Sequence, residues 1–137
     1  MEQKEKETRL LIVADLNRLI ASNDNTIAKS KDSMEEDLFT KLPWEIEKWY
    51  KATNKNRIYS GMVEHIETDL SDFNDSIEKY ISKMIEYYKR MLLSGRLMTS
   101  STSMIHNLCS LWVSESLQDV IRDLEWIYSK NVMTMIS

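Results

Sequence analysis

The chain is short of the residues that bend a backbone. It has two glycines and one proline in 137 positions. A β-rich fold needs a turn residue every few positions, so this scarcity argues against sheets. With two glycines, a glycine-rich phosphate cradle is excluded as well. There is one cysteine, Cys109, which cannot close an internal disulfide and fits a reducing interior. There are two histidines, His65 and His106. They are far apart in sequence and belong to no metal-ligand or nucleophile pattern. The formal net charge is −4, the wrong sign for a protein that wraps nucleic acid by itself. No apolar run approaches the ~18 residues that would suggest a membrane span. Met1 to Lys6 is polar and lacks the apolar segment of a secretion signal. The chain reads as an intracellular protein, not attached to a membrane.

What is abundant points to helices. Hydrophobic residues make up 42% and charged residues 29%, which suits a globular chain. One domain over residues 1–137 is expected, large enough to bury a core without metals or disulfides. Apolar residues recur at three-and-four spacing in several stretches. Ile12, Val13, Leu16, Leu19, Ile20, Asn23 and Ile27 predict a first helix over 5–30, followed by a polar loop to Glu36. Pro43 suits the first turn of a second, short helix ended by Asn54-Lys55-Asn56. Met62, Ile66, Leu70, Phe73, Ile77, Tyr80, Ile81, Met84, Tyr88 and Met91 predict one long helix, or two broken near Ser71-Asp72. Ser94-Gly95 marks a break. Met104 to Trp112 reads as a short apolar helix. Ser114 then caps a last helix striped by Leu117, Val120, Ile121, Leu124, Ile127 and Tyr128. The fold expected is all-α: a single-domain helical bundle of about four to six helices with one long central helix.

Candidate chemistry is sparse. His65 lies beside Glu64 and Glu67 and reads as solvated, and Cys109 reads as a buried, inert thiol between Leu108 and Leu111. Asp69, Asp72 and Asp75 recur every third residue, but EF-hand spacing and its glycine are missing. They read as a solvated helix face. No cofactor, metal or catalytic constellation is expected.

Aromatic residues beside cations are the more informative feature. Lys48, Lys51, Lys55 and Arg57 surround Trp49, Tyr50 and Tyr59. Basic side chains with stacking platforms can hold single-stranded nucleic acid. The acidic net charge favours inward-packed rings and solvated lysines instead. Trp, Tyr and Arg also concentrate at protein interfaces. Trp44 and Trp49 stand ~140° apart around a helix, so a small domain cannot easily bury both. Trp126 lies off the stripe of the last helix. Tyr88, Arg90 and Arg96 form a second basic-aromatic group. The residues expected at a protein interface are therefore Trp44, Trp49, Tyr50, Tyr88, Arg90, Arg96 and Trp126. Homo- or hetero-oligomerisation is the partner expectation.

Three stretches resemble the helical domain of GINS subunits, the replication factors that join the MCM helicase. Leu42-Pro43-Trp44 with Trp49-Tyr50 is similar to the start of archaeal subunits. Tyr87-Tyr88-Lys89-Arg90 through Ser94-Gly95-Arg96-Leu97-Met98 is similar to the family's long helix. Val113-Ser114-Glu115-Ser116-Leu117 through Lys130-Asn131-Val132 resembles its final helix. The resemblance spans about residues 38–132. It departs where Thr99-Ser100-Ser101 replaces further basic residues, and the chain has no room for the small β-domain that many subunits carry. It implies a non-catalytic scaffold in a helicase assembly. The alternative is an unrelated helical adaptor that oligomerises or binds another partner, viral proteins included, or a weak binder of single-stranded nucleic acid.

Overall fold

A computed structural model describes residues 2–36, 42–69, 76–97 and 104–133, and every one of these but Ser76 is helical. Among the described residues, four helices carry the fold. They are α1 (Glu2–Glu36), α2 (Leu42–Glu64), α3 (Ile77–Leu97) and α4 (Met104–Ile127). Helices α2 and α4 each run on into a π-helical turn, His65–Asp69 and Tyr128–Val132.

The longest helix is the first, at 35 residues, not a central one. The polar stretch Ser30 to Glu36 continues it where a loop was expected. No glycine or proline stops it, and Ser30 turns inward and is buried. The second helix is also longer than expected. Asn54-Lys55-Asn56 lies inside it, and two of its side chains bond across helices. Asn56 Nδ2 donates to Asp24 Oδ1 at 2.8 Å, and Lys55 pairs with Asp119 at 3.3 Å. Met62 therefore belongs to α2 and Ile66 to the π-helical turn that continues it, and the apolar stripe starting at Ile77 belongs to α3. Between them, the expected break at Ser71-Asp72 lies outside the described residues, as do Thr99 to Ser103. Ser94-Gly95 lies within α3, which runs on to Leu97.

Helix α4 is continuous through Ser114, so the two-helix expectation fails there. Ser116 Oγ instead donates to the Trp112 carbonyl at 2.9 Å, which satisfies a buried hydroxyl without ending the helix. A capping serine does appear at α3. Ser76 Oγ accepts from the Lys79 N–H at 3.2 Å, and Glu5 Oε1 of α1 accepts from the Ile77 N–H at 2.7 Å. Both bonds satisfy N–H groups that a helix start leaves without partners.

Helices α1 and α2 pack along one another as a hairpin. Helix α4 lies parallel to α2. Lys51 pairs with Glu115, Lys55 with Asp119, and Tyr59 donates to Asp123, each 64 positions apart. A constant offset over three successive turns requires parallel axes. Helix α3 opposes α4, with Glu78 bonded to Tyr128 and Lys89 to Glu125. The core between them holds Ile12, Leu16, Tyr59, Met62, Ile77, Ile81, Val120, Leu124 and Ile127.

Candidate protein-binding cleft

The first turns of α2 and the first half of α4 leave an open apolar cleft of about 610 Å³. The parallel register creates it. The two helices start side by side, so the apolar residues that open each of them face one another. Leu42, Pro43, Trp44 and Ile46 line one side. Leu108, Cys109 and Trp112 line the other. Tyr50 tilts against Trp112 with ring centroids 5.5 Å apart and joins the two walls. Trp44 is 68% exposed, and Leu108 on the facing wall is 43% exposed. Neighbouring exposed apolar groups of this size mark an interaction site more often than scattered single residues do.

At the polar end, Lys51 is held between Glu47 and Glu115. Burial pulls its ammonium pKa down, and the two carboxylates more than reverse this, leaving it above the ordinary value. Further along the same seam, burial and the bond to Asp123, 2.7 Å long, push the Tyr59 phenol well above its usual range.

The structure divides the expected interface residues. Trp44 stands in the open, and Trp49 is 39% exposed on another face of α2. Tyr50 is half-buried against Trp112. Tyr88 is 8% exposed and belongs to the core. Its position on α3 continues the Ile77, Ile81, Ile85 stripe. Arg90 is exposed on α3, remote in sequence from both cleft walls. Trp126 is exposed, with the Lys130 ammonium 4.7 Å from its ring centre. Asp72 and Asp75 lie outside the described residues, as do the side chains of Asp69, Arg96 and His106.

Three of the four α2 cations are paired within the chain. Lys48 meets Glu45 at 3.6 Å, Lys51 meets Glu47 and Glu115, and Lys55 meets Asp119. Arg57 is exposed and has no ion pair among the described residues. A phosphate backbone would have to displace carboxylates at the other three. His65 stacks on Tyr80 at 4.6 Å, and Cys109 is half-buried in the cleft wall. Among the described residues, no three acidic, histidine or cysteine side chains gather as metal ligands, and no helix is long and apolar enough to cross a membrane.

Sequence reasoning missed the α4 wall of the cleft. Leu108 and Leu111 were treated as neighbours of a buried thiol, yet both are exposed. The available signal was the run Met104 to Trp112, too apolar all round for one buried stripe. It also missed Asp15, which is 3% exposed in the α1 core face. Asp15 accepts from Asn131 at 2.8 Å and pairs with Lys130 at 3.1 Å and Arg18 at 3.0 Å. Compared with protein-family models, curated proteins and solved structures, the chain shows no significant match to any of them.

Proposed function

We propose that this protein is a non-catalytic helical scaffold that binds a protein partner through the α2–α4 cleft. The observation that carries this reading is the cleft itself. Trp44 and Leu108 stand exposed on the two walls of an apolar cavity, and aromatic anchors in a pocket are how interfaces concentrate their affinity. The partner is another protein or a second copy of this chain. The test is affinity capture with the wild type and with a Trp44→Ser, Leu108→Ser variant, alongside light scattering of both. The wild type retains a partner or self-associates, and the variant, equally helical, does neither. Equal capture by both baits would overturn the assignment of the cleft.

A finer form of the proposal is a GINS-like subunit of a replicative helicase assembly. Its support is the resemblance of Leu42-Pro43-Trp44, of Tyr87 to Met98, and of Val113 to Leu117. The first of these stretches contributes a wall of the cleft. Co-purification of an MCM-type helicase or sister subunits with the wild type tests it. Recovery of an unrelated partner at the same cleft would leave the scaffold and remove the helicase.

A further inference from the structure

A second groove separates α2 from α3, and it shares no lining residue with the first. Arg57, Gly61 and His65 recur every fourth position on α2, so they share one face over ~12 Å. Tyr80, Met84 and Tyr88 recur in the same way on α3 and face them. At one end His65 stacks on Tyr80. At the other stands the exposed Arg57. The groove is open to solvent and has a volume of about 470 Å³, within the ~300–1,000 Å³ typical of small-ligand sites.

Two features of this groove have no use inside the chain. Gly61 lies within a helix, where glycine costs about 1 kcal/mol relative to alanine. A Cβ built there would meet nothing within 4 Å, so no neighbour requires the glycine. Its effect is to keep the groove floor open. Arg57 is the second feature. It has no ion pair among the described residues, whereas Lys48, Lys51 and Lys55 on the same helix are all paired. No carboxylate lines the groove among the described residues. Burial raises the Tyr80 and Tyr88 phenol pKa values, so both stay protonated and able to donate at neutral pH. A cation, two phenols, two thioethers and a stacked ring pair suit one chemistry.

We propose that the Gly61 groove binds a compact organic anion: an aromatic or apolar body bearing one carboxylate, sulfonate or phosphate, with Arg57 holding the charge and Gly61 admitting the body. This does not rest on the scaffold reading, since the α2–α4 cleft lies elsewhere. The probes are anilinonaphthalene sulfonate and its uncharged counterpart N-phenylnaphthylamine, titrated by fluorescence and calorimetry into the full chain. Arg57→Gln should weaken the sulfonate at least about tenfold, the worth of one charged hydrogen bond, and leave the neutral amine nearly unchanged. Gly61→Leu fills the floor, raises helix propensity and should abolish binding of both probes while circular dichroism stays helical. Trp44→Ser, in the other cleft, should leave both affinities intact. Wild-type affinity for the sulfonate in Arg57→Gln and Gly61→Leu would overturn the proposal, as would loss of binding in Trp44→Ser alone.

Discussion

Asp15 and Tyr59 are the polar residues on which the packing of α1 and α2 depends most. Each brings an oxygen into the core side of its helix and finds its partner on the α4 side. Asp15 accepts from Asn131 and Lys130, which the π-helical turn Tyr128–Val132 presents to it. Asp15→Ala should cost about 1–3 kcal/mol, since Arg18 and Lys130 can turn to water but the buried bond to Asn131 is lost. Asp15→Asn should cost less because it keeps the shape and one acceptor. Urea midpoints of the two variants test that order, and equal stability of Asp15→Ala and the wild type would contradict it. Tyr59 donates to Asp123 from a fully buried position, and Tyr59→Phe should cost about 1–2 kcal/mol. The phenol also sets a pH dependence. Its folded-state pKa is raised, chiefly by burial, so the unfolded chain releases this proton first. Stability is then fully present below about pH 10 and falls as pH rises beyond it. Tyr80 and Tyr88 act in the same direction. An alkaline denaturation series should show a shallower loss above pH ~10 for Tyr59→Phe than for the wild type, and an identical slope would contradict the assignment.

Helix α4 is the element where sequence and structure part most clearly. Ser114 followed by Glu115 looks like a helix start, and a proline at Glu115 would then occupy a favoured first-turn position. Inside a continuous helix the same proline removes a backbone bond and clashes with the preceding turn. Glu115→Pro should therefore cost at least ~3 kcal/mol, of which the lost Lys51 pair is under ~1 kcal/mol. A change of only a few tenths in thermal or urea stability would restore the two-helix reading. The apolar stripes were legible throughout. Ile12, Val13 and Leu16 in α1, and Leu117, Val120, Leu124 and Ile127 in α4, are all core residues. Boundaries were less legible, because Asn54, Asn56, Ser30 and Ser114 read as helix ends or caps by local preference. Asn56 donates to Asp24 of α1 and Ser30 is buried among the packed helices, placements that only the tertiary structure shows. The cleft was half-legible. Trp44 and Trp49 gave away the exposed aromatic face, but the parallel alignment that adds the Leu108 and Trp112 wall depends on register, which periodicity does not carry.

At the scale of the molecule, charge and apolar surface are arranged differently. Carboxylates on α4 neutralise the lysines of α2 along their shared seam, so the basic-aromatic segment presents less positive charge than its sequence suggests. The apolar residues at the open end of that seam have no such cover among the described residues. The account turns on that face being where a partner sits. The direct measurement is site-specific photocrosslinking in cells that make the protein, with benzoylphenylalanine placed at Trp44, which is exposed on the cleft, and separately at Asn25, which is exposed on α1. The account predicts a discrete protein adduct from position 44, either a second copy or another chain, and none from position 25. No adduct at 44, or the same diffuse adducts from both positions, would contradict it.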